Sequence, residues 1–179
     1  MTEVLHRYAQ LGGTTGRTVH GIAMPYGEVA EVRDGYGPAY RERFVRGSFT
    51  RTIAERKHKI RLMAMHQERA FPIGMPESLA ETDAGLEVAF RVTPTVAGND
   101  ALALIRDGVV TGFSIGFVPI RSRVVDGVTE RLEVSLREVS LVSEGAYAGA
   151  QVAGIRSAPP IRITTNEHAQ RVYEFLKML

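Results

Sequence analysis

Hydrophobic and polar positions alternate in short stretches along most of the chain, and glycine and proline punctuate them. Alternation over four to eight residues is the signature of a half-buried strand. RTVHGIAMPYG (17–27) reads as a strand ended by Pro25 and Gly27, and residues 28–38 as a glycine-rich loop. YRERFV (40–45) and HKIRLMAMH (58–66) alternate as strands, and FPIGMP and LEVAFRVTP fit two more. VVTGFSIGFVPI (109–120) is another. A hairpin through Asp126-Gly127, a strong turn dipeptide, returns a strand to about residue 142.

Helical patterns are fewer. Residues 46–57 predict a short helix with Ser48 as N-cap, and 95–108 a second, with Asn99 or Asp100 near its start and Gly108 at C′. Segment 146–155 fits a helix or an extended stretch. Four regions follow: a loose, polar N-terminal segment (1–16), a globular domain (17–156), a proline-containing linker (157–166), and an amphipathic helix (167–179) with Val172, Phe175, Leu176 and Leu179 on one stripe. Many short strands with two or three helices predict a β-rich α+β fold, a mainly antiparallel barrel or curved sheet flanked by helices.

Composition narrows the chemistry. The 179 residues suit one domain, and 44% hydrophobic residues suffice for one core. With 22 basic against 20 acidic residues the net charge is +2 and no basic cluster stands out, so nucleic-acid binding is not expected. No run is long and apolar enough for a membrane span, and the first residues show no signal-peptide core, so a cytoplasmic protein is expected. The absence of cysteine removes disulfides, thiolate metal sites and a cysteine nucleophile. Without paired histidine spacing no zinc site is expected, and without a phosphate-cradling loop no nucleotide cofactor.

Three residues stand out by face. Gly112-Phe113-Ser114-Ile115-Gly116 is a literal G-x-S-x-G, but no helix follows it and the one later histidine is His168, so it does not fit the nucleophile elbow of an α/β-hydrolase esterase. On a strand, Phe113, Ile115 and Phe117 share the core face, while Ser114 shares the other with two glycines. Those glycines leave room either for a packed neighbour or for a substrate beside a nucleophile. His66 ends a strand on the face of Ile60, Leu62 and Ala64, and needs a hydrogen-bond partner there. His6 and His168 lie in the expected tails, His58 at a helix end and His20 mid-strand. Glu138 interrupts the row Leu132, Val134, Leu136, Ser140, Val142, so it is either paired inward or turned outward by a bulge. Serine, histidine and carboxylate together form the set that acyl transfer needs, whatever their order in the chain.

At these residues the sequence resembles the prohead (capsid maturation) proteases of tailed bacteriophages. The resemblance runs from about Gly21 to Val152: GIAMPYGE, YRERFVRGSF, MHQERAFPIG, ETDAGLEVAFRV, GFSIGF and EVSLVSEGAYAGAQV, in that order. Gln67 and Ser143-Glu144-Gly145-Ala146 depart from the usual pattern, and neither removes a candidate catalytic group. The family is similar to herpesvirus assemblin, which implies a closed or nearly closed barrel wrapped by helices. It implies Ser114 as nucleophile, His66 as base and Glu138 as third member, where assemblin has a second histidine. It implies a serine endopeptidase without cofactor or metal, acting in the host cytoplasm inside the prohead. Its substrates would be scaffold protein, the scaffold-like part of the major capsid protein, and itself, with 157–166 as a self-cleavage region. Dimerisation is implied by the assemblin likeness. The rival expectation is a catalytically idle assembly or scaffolding module on the same fold.

Overall fold

The computed structural model describes residues 4–11, 13–34, 36–67 and 69–143. Ten strands and two α-helices occur among them: β1 (Leu5–Gln10), β2 (Gly13–Thr15), β3 (Thr18–Pro25), β4 (Ala30–Val32), β5 (Tyr40–Phe44), α1 (Thr50–Arg56), β6 (Leu62–Ala64), β7 (Gly74–Glu81), β8 (Gly85–Val92), α2 (Val96–Arg106), β9 (Gly112–Val125) and β10 (Val128–Val142). The 146–155 segment, the linker and the amphipathic helix expected from the sequence lie outside the described residues.

The strands form one sheet in the order β1-β9-β10-β6-β7-β8-β3-β2, with β4 and β5 added on the β10 side. The long β9–β10 hairpin is its spine. Asp126 (φ 50°) and Gly127 (φ 73°) are both left-handed, as the tight two-residue turn between twisted strands requires. One edge of β10 carries β9. The other carries two parallel strands in succession, β5 against Val128–Arg131 and β6 against Val139–Leu141. Between them α1 serves the middle of β10: the Thr52 hydroxyl donates to the Val134 carbonyl (3.0 Å) and accepts from the Leu136 N–H (3.1 Å).

The sheet curls into a half-barrel. Its path ends at β1 and β2, and β2, only three residues long, pairs with β3 alone among the described strands. The closed ring of strands that the assemblin likeness implied is therefore not part of this ladder. Inside the curl lie Phe44, Phe49, Phe90, Phe113, Phe117, Ile115, Leu136 and Val139, all fully buried. Each such side chain contributes about 1.5–3 kcal/mol of transfer free energy. β8 follows its alternation closely, with Leu86, Val88, Phe90 and Val92 inward.

Three local features differ from the sequence reading. The stretch read as loose, 1–16, contains β1 and β2, and β1 pairs along its whole length with β9. Its partner lies about a hundred residues away, so nothing local announces it. Helix α1 starts at Thr50 with no side-chain cap of its own, and Ser48 instead donates to the carbonyls of Val45 and Arg131. The N–H groups of Gly47 and Phe49 are satisfied by Glu81 of β7, at 3.0 Å each. Helix α2 is capped by Thr95, whose hydroxyl accepts from the Gly98 N–H at 3.2 Å, one turn earlier than expected, while Gly108 takes the left-handed C-terminal position (φ 71°) as predicted.

Candidate active site

Ser114 is the third residue of β9, which continues as a strand for eleven residues beyond it. The nucleophile elbow is thus absent, as the missing helix implied. The core takes Phe113, Ile115 and Phe117, and Ser114 faces the other side between Gly112 and Gly116.

His66 arrives by a route that alternation does not describe. β6 stops at Ala64, and Met65 (φ 51°) and His66 (φ 53°) are both left-handed. Two consecutive non-glycine residues in that region carry backbone strain of order 1–3 kcal/mol each. The turn delivers the imidazole to Ser114: His66 Nε2 stands 2.5 Å from Ser114 Oγ. The His66 N–H is itself held, donating to Ser140 Oγ at 3.2 Å.

Glu138 depends on a bulge. The β9–β10 register slips between Leu136 and Glu138, so that Leu136 faces Phe117 but Glu138 faces Gly116. Before the slip the core takes Val134 and Leu136; after it, Val139 and Leu141. The slip moves Glu138 and Ser140 out of the apolar row onto the face of Ser114. The bulge that could have disqualified Glu138 is what brings it to His66, with Oε1 2.7 Å from His66 Nδ1.

The proton positions follow from the chemistry. Burial alone pushes the Glu138 carboxyl up, but contacts with His6, His66 and Ser140 and the charge of His66 outweigh it and hold the group below its ordinary value. An ionised carboxylate only accepts, so the His66 proton sits on Nδ1 and the Nε2 lone pair faces the Ser114 hydroxyl. Ser140 completes the cluster by donating to Glu138 Oε2 at 2.7 Å. Ser114 is fully buried, while the side chains of His66 and Glu138 are 16% and 13% exposed. A cleft of about 650 Å³ reaches this group, lined by His6, His66, Gln67, Arg69 and Ala70.

The three residues singled out in the sequence are therefore brought together. Two others were missed. Ser140 shows no signal of its own before the bulge is known. His6, in a stretch that the sequence reads as a tail, sits on β1 opposite Gly116, with its ring centroid 4.0 Å from that of His66.

A family model described as caudovirus prohead serine protease matches residues 5–167. The chain belongs to this family. The prohead protease of Enterobacteria phage HK97 is 29% identical over 151 residues, which span 82% of this chain and 65% of that relative's length. The bacteriophage T4 capsid assembly protease has a similar structure, with a TM-score of 0.48 and 11% identity over 79% of this chain and 98% of the T4 chain. The family is one of peptidases, and β1, the strand missed in the sequence, falls at the start of the matched region.

Proposed function

We propose that the protein is a serine endopeptidase of prohead maturation, with Ser114 as nucleophile, His66 as general base and acid, and Glu138 as the group that fixes the imidazole. The observation that carries this is the hydrogen-bonded chain from Ser114 Oγ through both nitrogens of His66 to Glu138, in a member of a peptidase family. Ser114 Oγ attacks the peptide carbonyl as His66 Nε2 takes its proton. The tetrahedral intermediate collapses, and His66 gives that proton to the departing amine, leaving an acyl-enzyme. Water repeats the sequence and frees Ser114. Glu138 keeps the Nδ1 proton in place and stabilises the imidazolium formed at each attack.

The relative's name, prohead protease, supports action in the prohead; the substrates implied by the resemblance are scaffold protein, the scaffold-like part of the major capsid protein, and the chain itself. The 157–166 linker is the proposed self-cleavage region, and a second copy the proposed dimer partner. No described helix is long and apolar enough to cross a membrane. One observation favours the rival, an idle assembly module: the Ser114 hydroxyl is covered, so a substrate must displace part of its surroundings to reach it.

Co-expression with the cognate capsid and scaffold proteins, wild type beside Ser114→Ala, decides between the two. Defined fragments in intact-mass spectra from the wild type only support the protease. Identical mass patterns from two folded proteins favour the idle module.

A further inference from the structure

One side chain on the active face has no part in acyl transfer as written. His6 and Glu138 approach Gly116 from opposite sides, on β1 and β10, and the glycine places nothing between them. His6 Nδ1 is shielded from solvent and has no hydrogen-bond partner among the described residues. It lies 3.7 Å from Glu138 Oε1, beyond hydrogen-bond distance. A buried ring nitrogen without a partner is an unmet demand, and here it sits beside a carboxylate and a second imidazole.

We propose that His6, His66 and Glu138 form a binding site for a zinc-type dication, and that occupancy silences the protease. The silencing rests on the roles given to Ser114 and His66 above; the binding does not. One ligand atom from each residue lies within 4.8 Å of the others. Two imidazoles and a carboxylate are a donor set that zinc takes in three-ligand sites, with water in the fourth position. Tetrahedral zinc with bonds of about 2.0–2.1 Å sets its ligand atoms roughly 3.4 Å apart. The present separations from Glu138 Oε1, 2.7 Å to His66 Nδ1 and 3.7 Å to His6 Nδ1, straddle that value. The first pair must open by roughly 0.7 Å and the second close by roughly 0.3 Å to reach it. The cleft gives an ion its route in, past Arg69, whose charge opposes entry while that of Glu138 favours it.

The switch follows from the imidazole. A neutral ring carries one N–H. In the catalytic arrangement it is on Nδ1 and donates to Glu138, so the Nε2 lone pair is free to accept the Ser114 proton. Zinc bound at Nδ1 takes the lone pair there, and the ring's one proton must sit on Nε2. The metal–nitrogen bond replaces the Nδ1–H bond, the proton is transferred through solvent, and nothing is oxidised or reduced. His66 then has no lone pair to offer Ser114. Magnesium and calcium, which prefer oxygen ligands, are poor occupants. Ligands drawn from β1, the turn after β6, and β10 leave no local spacing, which is why the sequence predicted no zinc site.

The test uses Zn²⁺ as probe on the full chain. Binding is measured on Ser114→Ala, which cannot cleave itself, by competition with a chromophoric chelator. One zinc per chain is expected, weakened at least about tenfold by adding His6→Gln and unchanged by adding His58→Ala. ¹⁵N-histidine spectra are expected to show the His66 proton moving from Nδ1 to Nε2 on zinc addition, a readout that stands whether or not His6→Gln folds. In cleavage assays, with each variant normalised to its own rate in EDTA, zinc is expected to stop the wild type reversibly, and His6→Gln to raise the half-inhibitory concentration by the same factor. Binding indifferent to His6→Gln, or a His66 proton that stays on Nδ1, overturns the site. Saturated zinc with undiminished cleavage overturns the switch. Zinc bound with the expected His6 dependence, in a wild type that cleaves nothing in EDTA, supports the site and sinks the protease reading instead.

Discussion

The carboxylate of Glu138 lies directly over Gly116: a Cβ built on the glycine would overlap Oε1 and stand 3.1 Å from Cδ and 3.2 Å from Cγ. The second glycine of the G-x-S-x-G string is therefore a seat for the carboxylate that hydrogen-bonds His66. Gly116→Ala is expected to push Glu138 aside at an overpacking cost of about 1–3 kcal/mol. A displacement of about an ångström in a catalytic group lowers turnover roughly 10²-fold. Steady-state kinetics should show the loss in kcat with KM little changed. A variant with wild-type kcat would mean that Glu138 does not orient the imidazole.

Ser140 holds the same carboxylate from its other oxygen and receives the His66 N–H. Hydrogen bonds to charged groups contribute about 1.5–3 kcal/mol. Ser140→Ala is expected to lower kcat roughly 10- to 100-fold while the protein stays folded by circular dichroism. Glu138→Gln should cost more, roughly 10⁴-fold, because an amide can donate to Nδ1 and so favour the wrong tautomer. Equal losses in the two variants would argue against this division of roles.

What was legible in the sequence was whatever depended on one strand at a time. Alternation put Ser114 opposite Phe113, Ile115 and Phe117, and Asp126-Gly127 marked the hairpin. What depended on two strands was not legible. His66 was expected at the end of an alternating face, yet it is aimed by two left-handed residues that β6 does not encode as a strand pattern. Glu138 was an anomaly in an apolar row because its bulge exists only in register with β9. His6 was lost because β1 is a strand only by virtue of β9. Ser48 is the local candidate for capping α1, but a carboxylate some thirty residues on takes the N–H groups of Gly47 and Phe49 at its start.

Glu42 is fully buried between two guanidinium groups, accepting from Arg7 Nε at 2.5 Å and Arg131 Nε at 2.6 Å. Tyr40 accepts from both arginines at 2.8 Å, and Arg7 and Arg131 lie over the Phe117 ring. This network ties β1 to β5 and β10 on the core side, opposite the face that His6 presents. Glu42→Ala would leave buried Arg131 without its carboxylate and Arg7 with Asp34 alone, and the expected cost is about 3–5 kcal/mol. Urea denaturation should show the midpoint falling with little change in slope. A loss under about 1 kcal/mol would mean that water or a neighbouring group replaces the carboxylate.

Glu81 links acidity to helix α1. Beyond the two N–H groups it caps, it accepts from the hydroxyls of Thr50 and Tyr26. Burial alone pushes its carboxyl up, but these four hydrogen bonds outweigh burial and hold it below its ordinary value. The unfolded chain then binds more protons than the native one between the depressed native value and the ordinary carboxylate range. The stabilisation is accordingly complete above that range and lost as pH falls through the native value. Urea melts of wild type and Glu81→Gln are therefore expected to differ at pH 7 and to converge as pH falls through the depressed native value. Because α1 sits between β5 and β6, the wild type should lose amide protection first around residues 47–56 in acid. Curves that stay parallel as pH falls would assign the stabilisation to something other than the Glu81 charge.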